Sequence, residues 1–115
     1  MYYDERKEVL PEVAPVEPKL ERWQEYLLLI ADYIRQHGWC QHTARDDAGR
    51  VCILGAFGEV FGESGVPYKI HLHAMSSLQQ RVGYDIPRWN DGCFRTASQV
   101  LHLLETTARG ERSPC

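Results

Sequence analysis

Between residues 19 and 37 the apolar side chains return every third or fourth position, as Leu20, Trp23, Leu27, Ile30 and Ile34. That spacing draws one stripe along an α-helix, whereas a half-buried strand would alternate every second residue. Tyr26, Leu29 and Tyr33 widen the stripe to two sides, so more than one neighbour has to cover it. A helix from Lys19 to His37 would be roughly 28 Å long at 1.5 Å per residue, long enough to be the strut of a small domain. Pro18 suits its first turn, and Gly38 suits a left-handed stop just past its end.

Beyond the strut the chain is shorter in its periods and more broken. Trp39 to Val51 reads as a tight excursion, with the turn chemistry of Arg45-Asp46-Asp47-Ala48-Gly49-Arg50 at its centre. Its flanks, Cys40–Thr43 and Arg50–Ile53, are expected to pair as a short hairpin. A second helix is expected over Cys52–Phe61, with Ile53, Phe57, Val60 and Phe61 inward. Gly55, Gly58 and Gly62 share another side of it and suggest that a second helix crosses closely there. A third helix is expected over Lys69–Val82, carrying Ile70, Ala74, Leu78 and Val82 and stopped by Gly83. Tyr84–Phe94 reads as irregular, because Pro87 and Gly92 interrupt it. A fourth helix starts at Thr96, where Thr96-Ala97-Ser98-Gln99 fits the reciprocal capping pattern and Ala97, Val100, Leu101, Leu104 and Ala108 form a buried stripe. The expected fold class is therefore mainly α: a compact four-helix domain over residues 19–110, with a short hairpin or loop between helices 1 and 2. Residues 1–18, with Pro11, Pro15 and Pro18 among several glutamates, read as an extended acidic arm held either by its own domain, through Val9, Leu10, Val13 and Val16, or by a partner; residues 111–115 read as a polar tail.

Composition narrows the function classes. At 115 residues the chain can bury one core without metals or disulfides. A net charge of −3 argues against binding nucleic acid by phosphate neutralisation, and no predicted helix gathers the Lys and Arg that such contacts need. No apolar run approaches a membrane span, and Met1 to Glu8 lacks the pattern of a signal peptide, so the expected place is the cytoplasm. The four cysteines, Cys40, Cys52, Cys93 and Cys115, are then expected to be reduced thiols.

One set of residues carries a family likeness: Gly38-Trp39, Arg45-Asp46, Gly49-Arg50, Cys52-x-x-Gly55-Ala56 and Trp89-Asn90-Asp91. Over about residues 20–108 the chain resembles a small uncharacterised family of actinobacteria and their phages, described as a domain of unknown function. The resemblance implies a compact, mostly helical domain in an actinobacterial or phage setting, and no activity, cofactor or partner.

Three constellations could carry chemistry. Cys52 lies near a predicted helix N-terminus just after Arg50, where dipole and cation favour a thiolate, and His42 or His71 could serve as its base in a small hydrolase. The blander reading, and the preferred one, makes Cys52 a small buried residue and His71 a hydrogen-bonded core histidine. Cys40, His42, Cys52 and Cys93 contain enough ligands for zinc, but no C-x-x-C pair exists, and His71 and His73 leave a helix on nearly opposite faces. No metal and no cofactor is expected. Trp89, Asn90 and Asp91 beside Arg88 could grip a partner, or plug the fold while Asn90 or Asp91 bonds loop amides ahead of the last helix. Arg45, Asp46 and Arg50 read as a charged turn that could be salt-bridged to that segment. The leading expectation is a non-enzymatic protein that binds another protein through the arm and the Trp39 and Trp89 loops, a homo-oligomer being compatible with it. The cysteine hydrolase and a helical DNA-binding regulator are the alternatives.

Overall fold

The structure, a computed structural model, describes residues 19–110. The expectations for the arm and the tail lie outside the described residues. Five helices succeed one another: α1 (Arg22–His37), α2 (Ile53–Ser64), α3 (Tyr68–Val82), α4 (Ile86–Asn90) and α5 (Ala97–Arg109). Four are at least 12 residues long, and α4 has 5. The mainly helical architecture matches the sequence reading, with α4 as an addition to it.

The strut is central. Helix α1 packs against α2, α3 and α5 at once, so its apolar face is wider than one stripe. Leu27, Ile30 and Ala31 are wholly buried and Tyr26 nearly so, while Leu29, expected inside, is half exposed. Opposite them lie Ile53, Ala56 and Phe57 of α2, Ala74 and Leu78 of α3, and Val100, Leu104 and Ala108 of α5. Each large apolar side chain buried in this way contributes about 2 kcal/mol by removal from water. The two consecutive threonines near the end of α5, Thr106 and Thr107, are buried without cost to the core because their hydroxyls donate to the carbonyls of His102 and Leu103 one turn back.

The helix limits move for identifiable reasons. Helix α1 starts at Arg22, not Lys19, because Glu21 and Gln24 form a capping box, Gln24 accepting the Glu21 amide at 2.6 Å. Helix α2 runs through Gly62 to Ser64, since Gly65 is the residue that turns left-handed, at φ 69°. The segment read as irregular contains α4: Pro87 falls in the first turn, where its missing N–H is no loss, after Asp85 at the N-cap. The Thr96–Gln99 capping box forms as its sequence indicates, Thr96 accepting from the Gln99 amide at 3.2 Å and Gln99 from the Thr96 amide at 3.1 Å.

Two expectations are corrected. No strand forms among the described residues between α1 and α2; the pairing there is limited to isolated bridges from Val51 to Trp39 and to Arg45. Two short strands with no third partner are marginal, and side-chain bonds order this segment instead. The glycine stripe does not mark a helix crossing either. A Cβ at Gly58 or Gly62 would meet nothing within 4 Å, whereas one at Gly55 would fall 2.0 Å from the carbonyl oxygen of Ala44. Only Gly55 admits a neighbouring backbone, and that backbone is the loop.

Candidate functional site

The loop between α1 and α2 is built by its own polar groups. Gly38 leaves α1 at φ 92°, and its carbonyl accepts the amide of Val51 at 3.0 Å. Ala44 then accepts the amide of Cys52 at 3.1 Å, and Cys40 donates its amide to Val51 at 3.0 Å. Within the excursion Asp46 Oδ1 accepts the amides of Ala48 and Arg50 at 3.1 and 2.8 Å, and its Oδ2 accepts Arg50 Nε at 2.6 Å. Desolvation pushes the Asp46 carboxyl up, but the Arg50 amide, the Arg50 guanidinium and the Ala48 amide together hold it below the usual carboxylate range. Arg45 turns the other way, to Tyr33 and to Glu59 at 3.4 Å. Asp46 and Arg50 thus pair with each other, Arg45 pairs with Glu59, and among the described residues none of the three makes an ion pair with residues 89–91.

The link to residues 89–91 is made by Asn90. Its side chain is 1 % exposed. Oδ1 accepts Trp39 Nε1 at 2.8 Å and the Ile53 amide at 3.1 Å; Nδ2 donates to the Cys40 carbonyl at 3.2 Å and to Asp91 Oδ1 at 3.0 Å. Gln41 adds bonds to the carbonyls of Asn90 and Gly92 at 3.1 and 2.8 Å. Asp91 Oδ1 also accepts the amide of His42, which sits at φ 72°, a conformation a histidine tolerates better than a branched residue. The Asn90 amide, then the His42 amide, hold the Asp91 carboxyl below the usual range. Asn90 thus bonds backward to the α1–α2 loop, not forward to amides ahead of α5. Trp39 is a partner in this lock and not a free contact. Trp89 packs against the core with the Arg95 guanidinium 3.7 Å above its ring, as a plug. Gln41 and Arg95 carried no signal in the sequence, because what they bind lies about fifty residues away or is a carbonyl that any residue could supply.

Two concavities border this lock. A cleft of about 250 Å³ is walled by His42, Cys52, Asn90 and Asp91 among others. Cys52 is half-buried, and its Sγ accepts the Gly55 amide at 3.3 Å as the N-cap of α2. Among the described residues no imidazole bonds it: His42 is 3.7 Å from Asp91 and mostly exposed. His71, on α3, sits beside Phe57 and Phe61, with Nδ1 2.6 Å from the Tyr26 hydroxyl. Cys40 is buried, donating to the carbonyls of Thr43 and Arg50, and burial first of all pushes its thiol up. Cys93 is exposed. No three His, Cys, Asp or Glu side chains among the described residues converge to hold a metal ion. The second concavity, of about 410 Å³, opens where the end of α3 and α4 face α5.

The partly buried His71 has a pH signature. Burial raises the Tyr26 hydroxyl to about 12 and lowers His71 below its ordinary value. A histidine depressed in the folded state binds fewer protons there than in the unfolded chain. Its contribution to stability is therefore complete above about 6.5 and is lost as the pH falls from there through the folded value. The expected result is a midpoint of urea unfolding that declines between pH 7.5 and pH 5, with less decline in His71→Gln, which keeps a partner for Tyr26 and cannot titrate. An identical decline in both proteins would place the effect elsewhere.

Residues 18–110 match the model of a family described as a family of unknown function (DUF6197). No curated protein and no solved structure matches the chain. No helix among the described residues is long and apolar enough to cross a membrane.

Proposed function

The chain belongs to this family of unknown function, and we propose that it is a non-catalytic domain that binds another protein. The observation that carries the reading is Phe94. It is 93 % exposed, on a turn whose backbone is held from several directions. Arg95 Nε donates to Trp89 O at 2.7 Å, the Arg95 amide donates to Gly92 O at 3.0 Å, and Gln41 binds Gly92 from the far loop. An aromatic ring left in water on a pre-ordered turn loses little conformational freedom when a partner covers it, which is how binding hot spots gain affinity. Tyr84, just before α4, and Arg88, within it, both exposed and 6.0 Å apart as ring and guanidinium, are further contacts. Of the charged residues expected to meet a partner, Arg88 is one whose guanidinium the fold leaves outside.

The family likeness supports an actinobacterial or phage setting, the partner then being a host or virion protein met in the cytoplasm. The test compares wild type with Phe94→Asp. The variant is expected to unfold at the same temperature within about 1–2 °C, since surface changes away from caps and packing are worth about ±0.5 kcal/mol. A protein captured by wild type from the source cell is expected to be lost from the variant, and the same difference is expected with purified components. Concentration-dependent self-association abolished by the same substitution would replace the foreign partner with a second copy. Salt-sensitive retention on DNA, unchanged by Phe94→Asp, would favour the DNA-binding regulator.

One observation favours the hydrolase as second reading: Cys52, His42 and Asp91 share a cleft. Against it, the sulfur is occupied as a cap and Asp91 is occupied by the His42 and Asn90 amides. With Cys93 and Cys115 changed to Ser, Cys52 is expected to react with iodoacetamide more slowly than free cysteine at pH 7.5, because partial burial limits access to the sulfur. Labelling faster than free cysteine, with a pH midpoint near neutrality, would revive the catalytic reading.

A further inference from the structure

We propose that the groove where the end of α3 and α4 face α5 is a binding site for a small organic oxyanion, a carboxylate or a phosphate ester. It shares no lining residue with the Cys52 cleft, and it adjoins the Phe94 turn through Arg95 and Trp89. Its walls carry Arg81, Arg95 and His102 together with Ser98 and Gln99, and no Asp or Glu among the described residues lines it. In a chain of net charge −3 that is a local inversion of sign. A concave, single-signed wall raises the local concentration of the opposite charge.

The second observation is an unmet donor. Arg81 Nη2 is buried and has no hydrogen-bond partner, the one such side-chain atom among the described residues. Charged groups in the interior are ordinarily paired, and an orphaned guanidinium nitrogen calls for a reason. Arg81 belongs to the last turn of α3, where it lines the groove. An anion there would supply the missing acceptor.

Arg95 is already in place. Its Nε is taken by Trp89 O at 2.7 Å and its plane rests on the Trp89 ring at 3.7 Å. Those two contacts fix the fork, and among the described residues its terminal nitrogens make no hydrogen bond. Guanidinium forks held in this way suit paired oxygens of carboxylate or phosphate better than a single charge. Ser98, in the first turn of α5, adds a hydroxyl on the positive end of that helix. A volume of about 410 Å³ falls within the range that holds a metabolite-sized ligand.

The experiment titrates the full chain with inorganic phosphate and, separately, with citrate, against chloride at matched ionic strength, following arginine Nε–H and backbone amide signals by NMR. Saturable shifts centred on Arg81, Arg95 and Ser98 with either probe, and not with chloride, are expected; the tighter probe tells phosphate from carboxylate. Gln99→Glu is the decisive variant, because glutamate preserves the capping box with Thr96 while placing a carboxylate in the groove. It is expected to weaken binding at least roughly tenfold and to unfold no earlier than wild type. Arg81→Gln is expected to weaken binding without lowering the unfolding temperature, since it removes the orphan. Shifts no larger than those with chloride, or full binding in Gln99→Glu, would overturn the proposal. So would binding confined to an acidic peptide, which would make the groove part of a protein interface.

Discussion

Replacing Asn90 with Ala is expected to lower the unfolding free energy by about 4 kcal/mol. The substitution removes a side chain that is 1 % exposed and leaves the Ile53 amide, the Trp39 indole N–H and the Cys40 carbonyl without their partner. Each unsatisfied buried group costs about 1–3 kcal/mol, partly relieved at Trp39, which water can reach. A domain of this size has about 5–15 kcal/mol in all, so the variant should be marginal at 37 °C. Urea unfolding followed by tryptophan emission reads the loss. A loss under about 1 kcal/mol would mean that the lock does not hold the loop. Asn90→Asp isolates the donor side of the same lock. The introduced carboxylate keeps the acceptor side, loses the donor to Cys40, and faces the Asp91 carboxylate where the amide stood 3.0 Å away. Its folded pKa is raised, so the deficit relative to wild type should be largest at neutral pH and shrink as the pH falls and protonation restores a donor.

Gly55→Ala should also be severely destabilising, by about 3 kcal/mol, although alanine is the better helix former by about 1 kcal/mol. The new Cβ would lie 2.0 Å from the Ala44 carbonyl oxygen and 2.9 Å from its carbon. That carbonyl also accepts the Cys52 amide, so moving it away opens the start of α2. Gly58→Ala and Gly62→Ala have open space and helical backbone, and each should stabilise by about 0.5–1 kcal/mol. Three glycines of one helix thus give opposite signs, measurable in parallel thermal melts. Equal behaviour of all three would mean that the loop does not approach α2 as described.

The unusual residues of the sequence acquire a structural meaning from these contacts. Asp46 and Arg50 fold the excursion, Cys52 caps α2, Gly55 admits Ala44, and Asn90 and Asp91 bind the loop to α4. Most of the residues that looked suited to chemistry are engaged in holding one loop against one short helix. The surfaces left for recognition, Phe94 and the arginine groove, lie outside that set.

The amino-acid sequence by itself determined the four long helices, but not α4. Their signals are local: the three-and-four spacing of Leu27, Ile30 and Ile34, the Thr96–Gln99 cap and the glycines past helix ends are all read within a turn or two of chain. Tertiary structure decided what the unusual residues do, because their partners are distant in sequence. Asn90 meets Cys40 and Ile53 across 50 and 37 positions, and Gly55 is required by a carbonyl in a loop with no periodicity. The same holds for the two arginines of the groove, drawn together from α3 and from the turn before α5 only once both pack around the strut. Periodic patterns encode which face is buried; hydrogen-bond partners and close approaches depend on how the elements pack in space.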